Sequence, residues 1–168
     1  MRLDIVHEFP FSVEELERLM MHPGLPDLLV AQVPLLMGVE IKAFSKDGNR
    51  IERRISYKPK PVIQYVGTKK VEPEWMEWVE ESTYDLNTHR GGFKNVPVKR
   101  RISEVFDNHG TLRIEPTPNG CKRSIMTELN IKLFVVGKLA ERLIAPHAKE
   151  LLDAEAALLV KAGREKLL

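Results

Sequence analysis

Residues 138–166 read KLAERLIAPHAKELLDAEAALLVKAGREK, and this stretch decides the fold. Apolar side chains recur at Leu139, Leu143, Ile144, Leu151, Leu152, Leu158 and Leu159, the three-and-four spacing of one helical face. At 1.5 Å per residue the helix is about 40 Å long, enough to cross a small domain. Its apolar stripe needs a cover, and the strand-rich sequence before it supplies one. A sheet curved around such a helix leaves room between the two layers, and space of that kind holds small molecules. Pro146 removes one backbone hydrogen bond within the helix and predicts a bend there.

Working outward, residues 121–135 alternate. Ile125, Thr127, Leu129, Ile131 and Leu133 share one face, and Lys122, Ser124, Glu128, Asn130 and Lys132 share the other. That pattern is a half-buried antiparallel strand. It pairs across Pro116–Gly120 with a strand at 111–115. Further strands are expected at 2–9, 37–45, 50–57, 65–71, 74–86 and 101–106, with Asp47-Gly48 as a hairpin turn. Ser12 and Glu15 form a capping box for a short helix near 12–21, and Pro26 opens a second at 26–32. The order is α+β: a curved antiparallel sheet wrapped around a long C-terminal helix, with two short helices near the N-terminus. Residues 1–168 need only one domain.

This order resembles the helix-grip fold of the START-like (SRPBCC) superfamily. The more specific parts are residues 1–16 (MRLDIVHEFPFSVEEL), 109–120 (HGTLRIEPTPNG) and 136–145 (VGKLAERLIA). They look most like an uncharacterised bacterial branch of that superfamily. A weaker similarity, from Pro73-Glu74-Trp75 to Tyr84-Asp85-Leu86-Asn87, is to the PRELI-like phospholipid carriers. The resemblance implies a cavity for a hydrophobic ligand between sheet and helix, but a shared fold does not supply an activity.

Basic and acidic residues nearly cancel, 26 against 24, which argues against a nucleic-acid binder. Cys121 is the single cysteine, so no internal disulfide forms and a cytoplasmic setting is expected. No apolar run reaches the length of a membrane span. The basic pairs Arg53-Arg54 and Lys69-Lys70, with Lys58, Lys60 and Lys99–Arg101, read either as solvated strand exteriors or as a rim for transient contact with an anionic membrane surface. Oligomeric state is not readable from the chain.

The five histidines lack ligand spacing, so no metal and no cofactor are expected. No nucleophile elbow, phosphate loop or catalytic triad signature appears, and no catalytic residue is assigned. A nucleophilic role for Cys121 competes with that of an incidental small residue. On a strict pleat Met76, Trp78, Glu80, Ser82 and Tyr84 face one side, with Glu77, Val79 and Glu81 on the other. Glu80 and Glu81 therefore cannot act as a close carboxylate pair. The expected ligand-binding residues are Trp78, Tyr84, Phe93, Leu143, His147 and Leu151, with few polar groups among them. The leading function is binding or carriage of a lipid-like or polyketide-like molecule. The alternatives are a cyclase- or hydrolase-type enzyme using Glu80, Tyr84 or His147 as acid or base, and a protein-interaction module with a vestigial cavity.

Overall fold

Among the described residues, seven antiparallel strands form the main sheet in the order β1-β9-β8-β7-β6-β3-β2. They are β1 (Arg2–Phe9), β2 (Leu36–Asp47), β3 (Arg50–Pro59), β6 (Trp78–Asp85), β7 (Arg90–Pro97), β8 (Phe106–Thr117) and β9 (Gly120–Ile131). A separate two-residue hairpin joins β4 (Tyr65–Val66) to β5 (Lys69–Lys70). The helices are α1 (Val13–Met20), α2 (Leu25–Gln32), α3 (Arg100–Ser103) and α4 (Gly137–Glu165). The computed structural model describes residues 1–61, 63–134 and 137–168.

Local chemistry explains the punctuation. Ser12 Oγ accepts from the Glu15 N–H at 3.2 Å and so starts α1. Gly48 adopts φ 56° in the β2–β3 turn, as the Asp-Gly signal requires. Gly120, at φ 149°, lies where an added Cβ would come within 2.0 Å of the Phe9 carbonyl oxygen. Only glycine lets the β8–β9 hairpin close against the end of β1. Two register shifts in β2 against β3 mark bulges, which bend a sheet.

The sheet curls around α4, because side chains from both edge strands, Leu3 of β1 and Val39 of β2, face the same interior. The C-terminal part of α4 lies in the main core, where Leu158, Leu159 and Ala162 join Leu16 and Leu19 of α1 and Leu25 and Leu29 of α2. Its first turns pack elsewhere: Ala140 and Ile144 meet Leu129 and Ile131 of β9. Between these two cores the helix and sheet stand apart.

Four sequence expectations change. The segment 74–86 is not one strand; Pro73–Met76 forms a 3-10 turn, closed by Trp75 N–H to Glu72 C=O at 2.9 Å, and β6 begins at Trp78. Pro73, with φ fixed and no N–H to give a ladder, favours that turn. Residues 65–71 fold back on Gly67 (φ 62°) as β4 and β5. The expected extended segment 101–106 begins as α3, secured by Ser103 and Glu104 N–H groups on the Lys99 and Arg100 carbonyls. The last strand stops at Ile131, leaving Leu133 off its face and exposed; Val135, its expected end, lies outside the described residues, as does Val136. The long helix itself continues through Pro146, which lies on its exposed side.

Glu141 ties α4 to the sheet. Its side chain is 1% exposed; Oε1 accepts the Ile131 N–H at 3.0 Å, and Oε2 lies 2.9 Å from Lys138 Nζ. The backbone N–H first and the lysine second hold this carboxyl at about 2. Because the folded value lies below the ordinary 4.5, the stabilisation is full above that pH and disappears as pH falls towards 2. Glu141→Gln is expected to lose about 1–3 kcal/mol at neutral pH. Urea unfolding at several pH values should show this deficit shrinking on acidification.

Candidate binding cavity

The gap between the two cores is a cavity of two compartments. The inner one encloses about 220 Å³ and the outer about 280 Å³. Both are bounded by Trp78, Asn95, Phe106, Asn108, Ile144 and Leu151, so these side chains mark where the compartments meet. Such volumes suit a small organic molecule. The outer compartment is walled by residues from the β4–β5 hairpin, the 3-10 turn, α3 and the first half of α4.

Alternation places the β6 residues as the pleat demands. Trp78, Glu80, Ser82 and Tyr84 line the inner compartment. Glu81 faces out, 3.2 Å from Arg54. The Trp78 ring stacks on Tyr57 of the neighbouring strand, with centroids 5.0 Å apart and planes 12° from parallel. Tyr84 presents its ring to the cavity, but its hydroxyl donates to Glu17 Oε1 at 2.7 Å. His89 Nδ1 lies 2.8 Å from the same oxygen. Burial and the Glu17 contact push the Tyr84 phenol well above its ordinary range, so it is poorly suited to proton transfer.

Of the other expected site residues, Phe93 lines the inner compartment, Leu151 both, and His147 the outer one. His147 stands half-exposed at the rim, 3.6 Å from Glu150. Leu143 is a correction: it is 36% exposed and lines neither compartment. Leu139 is exposed too. The inward face of α4 instead runs through Ala140, Ile144, Ala148, Leu151 and Glu155. The helix begins hard against β9, where a Cβ on Gly137 would come within 2.2 Å of the Ile131 carbonyl oxygen. That approach turns the small alanines inward and the leucines at 139 and 143 outward.

The inner compartment, though largely apolar, also carries charged side chains. Arg123, 1% exposed, reaches Glu155 Oε2 at 3.0 Å through Nη1 and His7 Nδ1 at 3.2 Å through Nη2. His7 Nε2 in turn lies 3.0 Å from Asp153. Arg123 also sits over the Phe9 ring, 5.5 Å from its centroid. On the opposite wall Arg53 donates to the Met20 carbonyl at 3.0 Å, at the C-terminal end of α1, and lies 4.0 Å from Glu80. Burial lifts the Glu80 carboxyl above its usual range, countered in part by Arg53 and Ser82. Two arginines and two glutamates therefore bound the inner compartment.

Cys121 is buried, and burial pushes its thiol up to about 11. A thiol that remains protonated is no nucleophile, so this residue serves the core. Among the described residues no three His, Cys, Asp or Glu side chains converge as a metal site, and no helix is long and apolar enough to cross a membrane.

A family model described as Protein of unknown function (DUF2505) matches residues 4–162. The chain belongs to this family. No curated protein matches the DUF2505 chain in sequence. Solved structures match its fold. TTHA0849 from Thermus thermophilus is 19% identical, with 96% of this chain and 99% of that one covered and a TM-score of 0.65. Norcoclaurine synthase from Thalictrum flavum, in complex with dopamine and hydroxybenzaldehyde, is 18% identical, with 96% and 87% covered and a TM-score of 0.63. The Zhui aromatase/cyclase from Streptomyces sp. R1128 is 8% identical, with 100% and 96% covered and a TM-score of 0.62. At these identities the likeness is one of fold, the helix-grip architecture.

The polar residues that sequence reasoning passed over had a signal. Arg123 has the same strand parity as Ile125 and Leu129, and Arg53 that of Ile51 and Ile55, so alternation alone puts both on inner faces. Glu155 follows Leu151 by four residues, one helical turn along the inward face.

Proposed function

We propose that residues 1–168 act as one binding unit that takes up and carries an apolar or amphipathic small molecule between the sheet and α4. The observation that carries this reading is the two-compartment cavity, whose walls are largely apolar and aromatic. Trp78, Tyr84, Phe93 and Leu151 are assigned to ligand contact in it, with His147 at the outer rim. The fold neighbours support the reading in kind, since one is a complex with two small aromatic molecules and another is named an aromatase/cyclase. The resemblance of 73–87 to PRELI-like carriers supports a ligand with an extended apolar part.

An enzymatic reading has less to stand on. The Tyr84 hydroxyl is engaged by Glu17, and His147 lies in the outer compartment, away from Glu80 in the inner one. Those candidates do not form one acid–base set.

Native mass spectrometry of freshly purified protein, followed by calorimetric titration with fatty acids, lysophospholipids and aromatic compounds, tests the proposal. A co-purified small molecule or saturable one-to-one binding is the expected result. A protein that emerges empty and binds nothing across the panel would overturn it in favour of a surface-interaction role.

A further inference from the structure

The inner compartment carries more polar function than a slot for plain hydrocarbon needs. An ion pair drawn largely out of water, as Arg123–Glu155 is, is seldom better for stability than well-packed apolar side chains of the same volume, so folding alone does not account for it. Nor is the hydrogen-bonding capacity of the polar groups used up. Arg123 occupies both terminal nitrogens, yet its buried Nε has no partner among the described residues. Across the cavity Asn95 gives Nδ2 to Asn108 Oδ1 at 2.6 Å while its buried Oδ1 has no partner among the described residues, and Ser82 Oγ, beside Glu80, lacks a well-aligned bond there. Buried polar atoms ordinarily find partners. These three belong to three strands, β9, β7 and β6, and all three residues line the same compartment.

The charge pattern restricts what can satisfy them. The two guanidinium groups and two carboxyl groups cancel formally. A ligand carboxylate brought to Arg123 would meet Glu155, which already holds that guanidinium at 3.0 Å. A ligand ammonium would reach Glu80 or Glu155 only beside the guanidinium each already faces, Arg53 at 4.0 Å and Arg123 at 3.0 Å. A neutral hydroxyl has neither conflict, since it donates to a carboxylate or the Asn95 oxygen and accepts from the Arg123 N–H. Arg123 lies six residues along β9 from Leu129, the residue in register with Asn95 through Asn108, so one hydroxyl does not serve both. The stacked Tyr57–Trp78 pair adds an aromatic surface to the same compartment, suited to a planar ring.

We propose that the inner compartment recognises a neutral aromatic ring system bearing more than one hydroxyl group, its oxygens held by Arg123 Nε, Ser82 Oγ and Asn95 Oδ1. Any apolar remainder passes Leu151 into the outer compartment. This assignment rests on the binding role proposed above and narrows its ligand class.

Calorimetry with naphthalene, naphthoate and dihydroxynaphthalene separates the ring, the anion and the hydroxyls as determinants. Dihydroxynaphthalene is expected to bind at least about tenfold more tightly than either of the others, since a site built to hydrogen-bond hydroxyls disfavours analogues that lack them. Combining Ser82→Ala with Asn95→Leu should reduce that advantage to roughly twofold while leaving naphthalene affinity in place, so naphthalene also reports that the variant is folded. Ser82→Ala alone, the milder change, should move the ratio in the same direction. Equal binding of naphthalene and dihydroxynaphthalene, or tightest binding of naphthoate, would overturn the hydroxyl assignment while leaving a binding role intact. An advantage unaffected by either variant would show that other atoms hold the oxygens and overturn this site. If none of the three binds, the hydroxylated-ring assignment fails; if, in addition, no small molecule co-purifies and fatty acids and lysophospholipids do not bind, the binding role itself fails.

Discussion

Arg123→Ala is expected to destabilise the fold by about 3–5 kcal/mol, the usual cost of removing one partner from a buried ion pair. The guanidinium is held on three sides, by Glu155, His7 and the Phe9 ring. Its loss leaves the Glu155 carboxylate facing an enlarged cavity without a counter-charge, and strips His7 of one of its two partners. Urea unfolding read by tryptophan fluorescence should show the midpoint fall sharply with little change in slope. The cost should belong mainly to the abandoned charge. Arg123→Met combined with Glu155→Leu should therefore recover most of the lost stability, although such a protein would lose the polar character of the cavity. A change within about 0.5 kcal/mol for Arg123→Ala, the range of ordinary surface substitutions, would contradict the central place given to this residue.

This cluster also marks the boundary of what the chain discloses in one dimension. The C-terminal helix is readable because apolar spacing persists over about six turns. The sheet is readable because alternation in 121–131 and in 78–84 puts each side chain on one definite face, and the structure keeps that parity. The rotational phase of α4 is not readable. Spacing counts the large residues Leu139 and Leu143, whereas the contact with β9 is made through Ala140, and close approach favours small side chains. The charged residues escape for a different reason. A strand position occupied by arginine is ordinarily solvated, and only the partner decides otherwise. For Arg123 the partner is on α4, for Arg53 it is the end of α1 together with β6, and neither pairing has a local sequence signature. Periodicity gives faces and lengths; which charges are buried depends on pairings between distant segments.

Leu151→Trp is expected to abolish ligand binding while leaving the fold in place. Leu151 borders both compartments, so an indole there would occupy the passage between them from the helix side. Enlarging a side chain in a packed core costs typically 1–3 kcal/mol, but here the added atoms enter open space, and the loss of stability should stay below about 1 kcal/mol. Affinity for any ligand that reaches across the junction should fall by about a hundredfold or more, equivalent to about 2.7 kcal/mol of binding energy. Leu143→Trp is the matched control. It places the same side chain two turns earlier on the same helix, but on the exposed side and outside both compartments, so binding should be unchanged. Calorimetric titration of wild type and both variants with the best ligand from the panel, alongside their thermal unfolding curves, distinguishes the outcomes. Loss of binding in Leu151→Trp alone places the ligand in the cavity. Equal binding by all three proteins would place it elsewhere, and equal loss in both variants would point to the outer surface of α4, the face that apolar spacing alone favours.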